Sequence, residues 1–221
     1  MVKSENNPDA IGILGGTFDP VHFGHLRSAL EVCQQLELNH VRLIPCAIPP
    51  HRQPTLASAD ARRLMLELAV KYVPQLIVDD RELHREGPSF SVDTLLSLRE
   101  QFVDNPLFLI LGTDAFRGIS SWSRWRNILQ LAHIVVVQRP DEILQLEDEL
   151  QNWYQQHLAK TEDRLLSSGK IWPLKVTPLA ISATQIRQDL AEDKPVNFLL
   201  PDSVIAVIEQ LGLYRASNSN N

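Results

Sequence analysis

Two histidines three positions apart, His22 and His25, follow a pair of glycines in the run Gly15-Gly16-Thr17-Phe18-Asp19-Pro20-Val21-His22-Phe23-Gly24-His25. A glycine backbone, lacking Cβ, lets a ligand approach closely. An imidazole presents an N–H donor, or a positive charge once protonated, to a phosphate oxygen. The chemistry this segment suits is phosphate binding. Neither common phosphate motif fits, because no lysine follows Gly16 or Gly24 as a Walker A loop requires, and the glycine spacing differs from the dinucleotide fingerprint. For a single histidine, capping or packing would be the simpler role, with the glycines merely turning the chain. Two histidines interleaved with glycine at a strand-to-helix junction favour phosphate.

Four other places carry groups of the right kind. In Ile181-Ser182-Ala183-Thr184-Gln185-Ile186-Arg187, Ser182 or Thr184 can cap a helix with Arg187 on its first turn. Hydroxyls and a guanidinium would then converge on one anion; an ordinary capped helix with a solvated arginine is the alternative. Pro45-Cys46-Ala47-Ile48-Pro49-Pro50-His51-Arg52 is a stiff loop that would lose little entropy on holding a ligand, and Arg52 could bridge phosphates. In Leu111-Gly112-Thr113-Asp114 the carboxylate follows a strand, placed to accept from ribose hydroxyls or to cap the next helix. Ser121-Trp122-Ser123-Arg124-Trp125 offers a flat aromatic for stacking at Trp122, whereas Trp125 suits the core equally well.

The elements that position these groups alternate between strand and helix. Ile11 to Leu14 is a strand ending in the glycines. Leu26, Ala29, Leu30, Cys33 and Leu36 recur at helical spacing, and Val41 to Ile44 is a second strand closed by Pro45. The spacing predicts a helix over Ala59 to Val73 with Leu64, Met65 and Leu68 facing the core, then a third strand over Leu76 to Val78. A helix capped by Ser91 should run to Phe102 with Leu95, Leu98 and Phe102 inward. Strands follow at Leu107 to Leu111, His133 to Val137 and Ile171 to Val176. Ile143 to Leu166 is polar and reads as a solvated surface helix or two. Helices close the chain at Ala183 to Ala191 and from Pro201 to Leu211. The sum is an α/β fold with a doubly wound, mostly parallel sheet, in which ligands sit at the C-terminal strand edge by a switch point. One domain over 1–221 is expected, with a helical C-terminal part over about 183–214 and tails at 1–9 and 216–221.

The chain has 221 residues, 44% of them hydrophobic and 22% charged, which allows a sizeable core without a staple. A net charge of −6 speaks against a generic nucleic-acid or membrane-surface binder, but not against an anionic small substrate held by local donors. Cys33 and Cys46 match no disulfide or metal pattern, and no cluster for a protein-held metal is evident. No signal peptide or membrane span is apparent, so a cytoplasmic protein is expected.

The glycine–histidine run resembles the signature of adenylyltransferases carrying a His-x-Gly-His motif, and within that class the nicotinate-nucleotide branch. The resemblance extends through five segments between Ile11 and Tyr214. It implies a Rossmann-like nucleotidyltransferase fold and transfer of AMP from ATP to nicotinate mononucleotide in NAD biosynthesis, with Mg2+ accompanying the ATP. By that resemblance Gly15, Gly16, Thr17, Phe18, His22, His25, Gly112, Asp114, Ser182, Thr184 and Arg187 bind ATP, and His22, His25 and Arg187 act on its phosphates. Arg52, Ser91, Trp122, Ser123 and Trp125 fall to the acceptor, the Trp-x-x-Trp pattern being that branch's own. Three departures stand out: Arg52 where the family often has lysine, and Phe90 and Ser91 where relatives frequently carry tyrosine and threonine. Transfer to nicotinamide mononucleotide or phosphopantetheine, and a non-catalytic nucleotide sensor, are the rival readings. A homo-oligomer is compatible with all of them.

Overall fold

A computed structural model describes residues 9–48, 55–138 and 144–215. The expected tails, apart from Asp9, lie outside these, as do His51, Arg52 and Ile143.

The apolar run before the glycines forms β1 (Ile11–Gly16), and α1 (Phe23–Gln35) leaves the turn behind it. The chain continues through β2 (His40–Pro45), α2 (Ala59–Val70), β3 (Leu76–Val78), α3 (Ser91–Gln101) and β4 (Leu107–Gly112). Two short helices, α4 (Thr113–Arg117) and α5 (Ile128–Leu131), lead into β5 (His133–Gln138). Then come α6 (Asp148–Gln156), β6 (Ile171–Lys175), α7 (Ala183–Ala191) and α8 (Asp202–Leu211).

The described strands make one six-stranded sheet in the order β3-β2-β1-β4-β5-β6, and every neighbouring pair is parallel. Such a sheet is covered on both faces, so its strands are apolar on both sides rather than alternating with polar residues. In β4, Phe108 and Ile110 enter the layer holding Ala29, Met65 and Val204, while Leu107, Leu109 and Leu111 enter the opposite layer with Leu95, Phe116 and Ile128. Gly12 of β1 is required by packing alone: a Cβ there would lie 2.8 Å from Val41 Cγ2. Chain order reverses between β1 and β4, whose C-terminal ends are Gly16 and Gly112. A crevice opens outside that pair in folds of this kind.

Several local expectations are corrected. The predicted Ala59 to Val73 helix stops at Val70, and its inward face carries Ala61, Arg62, Met65 and Leu66, whereas Leu64 points to solvent. Phe90, not Ser91, has the extended backbone of the α3 N-cap, making Ser91 the first helical residue. Pro201 is likewise the N-cap of α8 rather than its first-turn residue. The polar 144–166 stretch is not simply a solvated face. Leu150 is buried, and Trp153 and Tyr154 lie on Phe116 with ring centroids 6.4 and 5.9 Å away.

Candidate active site

A cavity of about 910 Å³ lies over the C-terminal ends of β1 and β4. Gly15, Gly16 and Thr17 from the first turn, His22, Gly24 and His25 from the start of α1, and Gly112 and Asp114 from the end of β4 all line it. A Cβ built on Gly15 or Gly112 would meet nothing within 4 Å, so at both strand ends bare backbone faces the open space. The N-cap of α1 is His22, whose side chain accepts no capping hydrogen bond, so the positive end of the helix dipole is left facing the cavity.

The two imidazoles stack, with ring centroids 3.7 Å apart and planes at 25°, and the Phe18 ring meets His25 edge-on at 5.1 Å. Gly24 makes the stack possible, because a Cβ there would come within 3.0 Å of His22 Cε1 and Nδ1. His22 is buried, and burial pulls its pKa down to about 4. At neutral pH the unliganded ring is therefore uncharged and keeps one N–H to donate.

The turn between β1 and α1 is held from behind. Asp19, in a cis peptide with Pro20, accepts from Leu56 N at 2.8 Å and Ala57 N at 3.1 Å through its carboxylate, and Tyr214 Oη donates to the same group at 2.6 Å. Its carbonyl accepts from Arg187 Nη1 at 2.7 Å. Arg62, 1% exposed, donates from Nη1 to Thr17 O at 2.7 Å. Phe18 takes a left-handed φ of 48° and buries its ring, so it braces the turn rather than lining the cavity.

Ser182 caps α7 by accepting from Gln185 N. Thr184 Oγ1 accepts from Arg187 Nη2 at 3.3 Å. The structure does not bring Ser182, Thr184 or Arg187 to the cavity wall, which that segment reaches only through Ile181. Two Arg187 donors are committed to protein oxygens, and their geometry ties α7 to the phosphate turn. Asp114 is at the wall with its side chain almost fully exposed, paired to Arg117 Nη1 at 2.9 Å.

Cys46, whose N donates to Gly16 O at 2.9 Å, Glu82, Ser89, Phe90, Ser91, Trp122 and Ser123 also line the cavity. Arg124, in a left-handed conformation with φ 50°, donates from Nη2 to Asp93 Oδ1 at 2.6 Å and so fastens the tryptophan turn to α3. Trp125 is not on this wall. Its ring is buried against Trp153, with centroids 4.9 Å apart and the Arg126 guanidinium 4.4 Å from its own centroid. Trp125 N donates to Trp122 O at 3.3 Å to close the turn between them, and the left-handed Arg124 inside it turns Trp125 away from the wall. Among the described residues no group of His, Cys, Asp and Glu could hold a metal ion, and no helix is long and apolar enough to cross a membrane.

The residues missed from sequence are the supports, Asp19, Arg62, Tyr214 and Glu82, and a further one, Glu31. Glu31 is a buried carboxylate accepting from Thr177 N at 2.7 Å and from Arg27. Burial pushes it up, but those hydrogen bonds outweigh the effect and hold it below the usual range. Thr177 and Pro178 line the cavity, so Glu31 anchors that edge.

The parallel sheet of order 3-2-1-4-5-6 with two stacked histidines at its switch point suits a nucleotide-binding enzyme, and the cytidylyltransferase-like family model, which matches residues 13–189, makes the class that of the nucleotidyltransferases. The chain belongs to that family, and within it to the nicotinate-nucleotide adenylyltransferases. It is 50% identical over 213 residues to a Pseudomonas fluorescens protein named probable nicotinate-nucleotide adenylyltransferase, covering 94% of this chain and 98% of that one. A Methylococcus capsulatus protein of the same name is 46% identical over 207 residues, covering 92% and 99%. Among solved structures, Plasmodium falciparum nicotinic acid mononucleotide adenylyltransferase complexed with NaAD has the same fold. Its TM-score is 0.73 at 16% identity, over 93% of this chain and 97% of that one.

Proposed function

We propose that this protein transfers AMP from ATP to nicotinate mononucleotide, releasing pyrophosphate and forming nicotinate adenine dinucleotide. The names of its relatives support the choice of acceptor. The observation that carries the reading is the paired histidines at a helix start, facing a serine- and tryptophan-bearing wall across one cavity.

A phosphate oxygen of the mononucleotide attacks the α-phosphorus of ATP, and the bond to the bridging oxygen of pyrophosphate breaks. The nucleophile needs no base, since a phosphate monoester has its second pKa near ~6. The protein's work is positioning and charge stabilisation. His25 donates to the α-phosphate as it becomes five-coordinate, while His22 donates toward the β- and γ-phosphates. Gly15, Gly16 and Gly112 let the nucleotide lie against bare backbone beside Thr17, and Asp114 accepts from ribose hydroxyls. Arg187, steadied by Thr184 Oγ1, holds the turn through Asp19 O and acts on the phosphates by positioning that turn. Trp122 stacks on the pyridine ring, and Ser91 and Ser123 meet its carboxylate. Arg52 joins the acceptor side by resemblance alone. Magnesium would accompany the triphosphate, held mostly by phosphate oxygens and water, and would offset the charge that builds on the departing pyrophosphate.

Incubating the protein with magnesium, ATP and, separately, nicotinate mononucleotide, nicotinamide mononucleotide or phosphopantetheine tests this by pyrophosphate release. Fastest release with nicotinate mononucleotide is expected. Release with phosphopantetheine alone, or with none of the three, would overturn the proposal.

A further inference from the structure

Glu82 is a carboxylate only 6% exposed, and yet it borders the cavity. It takes no part in the chemistry above. Thr94 Oγ1 donates to Glu82 Oε1 at 2.5 Å, and the Ser89 side chain is hydrogen-bonded to the same carboxyl. Each hydroxyl already accepts a hydrogen bond: Thr94 Oγ1 from Arg85 Nη1 at 3.1 Å, and Ser89 Oγ from Ala47 N at 3.2 Å. A hydroxyl has one proton to give, so both protons go to Glu82, which receives them with a carboxyl group that has acceptor sites for both.

These bonds join three segments on one side of the cavity. Ala47 follows β2, and its neighbour Ile48 is also held, by Ser89 N donating to Ile48 O at 3.1 Å. Ser89 leads into Ser91 at the start of α3, and Thr94 lies one turn further on. The bonds to Glu82, Ser89 and Thr94 stop short of His22 and His25, and the glycine turn meets this side only through Cys46 N donating to Gly16 O at 2.9 Å.

We propose that Glu82 is a positioning residue for the acceptor, holding the Ser89–Ser91 wall in register with the loop after β2 and thereby setting affinity for the mononucleotide rather than for ATP. This rests on the adenylyl-transfer reading of the site. A buried polar group left without its partner costs more than an exposed one, so a relaxed wall is the expected response to losing the carboxylate.

The test is steady-state kinetics of Glu82→Gln and Glu82→Ala with nicotinate mononucleotide and ATP varied in turn. The KM for the mononucleotide should rise about tenfold or more in Glu82→Ala and less in Glu82→Gln, with the KM for ATP within about twofold. Thr94→Val and Ser89→Ala remove one arm each and should show the same selectivity, which covers a Glu82 variant that fails to fold. Parallel changes in both KM values, or no change in either, would overturn the assignment and leave Glu82 a packing residue. A wild-type protein inactive with the mononucleotide would instead overturn the reading of the reaction.

Discussion

The Tyr214 phenol donates to the Asp19 carboxylate at 2.6 Å across 195 positions of sequence, fastening the end of the described chain to the turn that carries the glycines and histidines. Gly212 makes this possible: it ends α8 at φ 61°, a left-handed conformation that glycine adopts freely, and turns the chain back. Burial, then the hydrogen bond and charge of Asp19, push the Tyr214 phenol far above its ordinary range, so it stays a donor throughout the working pH range.

Tyr214→Phe removes that donor while keeping the ring. Asp19 retains two backbone N–H donors, so the expected loss is that of one hydrogen bond to a buried charge, about 1–3 kcal/mol. Denaturant unfolding should show a lower midpoint with an unchanged slope. An unchanged midpoint would mean the bond contributes nothing.

The buried His22 makes stability pH-dependent. Its pKa is about 4 in the folded chain against 6.5 when unfolded. Above pH 6.5 neither state is protonated there. Between 6.5 and about 4 the unfolded chain takes the proton and the folded chain does not, so stability falls as pH falls, and the loss is complete below about 4. From pH 7 to 4.5 the change is about 2–3 kcal/mol. His40 and His133, also lowered by burial, act in the same direction. Comparison with His22→Asn isolates the His22 share: the variant should lose less stability over that interval. Equal losses would contradict a neutral buried His22.

Much of this architecture is legible in the amino-acid order. An apolar run, two glycines and a helical repeat announce β1, its turn and α1, and the bounds of α7 are those its spacing predicts. The supports of the turn are not legible, because hydrogen bonds between Asp19, Tyr214 and Leu56 leave no period in the chain. Arg62 shows the difficulty best. It shares the inward face with Ala61, Met65 and Leu66, but apolarity singles out Leu64, which is exposed, and nothing local reveals that Thr17 O awaits a guanidinium. In α6 the signal was present: Leu150, Trp153 and Tyr154 stand at helical spacing among polar neighbours, and they are the residues that pack inward.

Gly24→Ala separates catalysis from stability. Alanine is the better helix former by up to about 1 kcal/mol, which offsets part of the crowding. The new Cβ, 3.0 Å from the His22 ring and 3.6 Å from Ile181 O, would displace that ring from His25. Unfolding free energy should change by no more than about 1 kcal/mol, while kcat/KM falls about tenfold or more, a sub-ångström misplacement being enough. Full activity would show that the stack is incidental.

His25→Ala should lower kcat by about two to three orders of magnitude, the cost of one donor aimed at the transition state. ATP affinity should change far less, since the donor acts chiefly as the phosphorus becomes five-coordinate. Isothermal titration with ATP alongside turnover measures both. Near-normal turnover would remove His25 from the mechanism.

The two tryptophans of the Ser121–Trp125 turn should respond oppositely to the same change. Trp122 is half-exposed at the cavity wall, so Trp122→Ala should raise the KM for the mononucleotide several-fold more than that for ATP, with little loss of stability. Trp125 packs on Trp153 inside the layer that holds Phe116, so Trp125→Ala opens a cavity costing about 3–5 kcal/mol. Thermal unfolding and steady-state kinetics on both variants decide the matter. A selective rise in acceptor KM for Trp125→Ala at unchanged stability would return Trp125 to the binding wall, and an unchanged KM for Trp122→Ala would remove Trp122 from it.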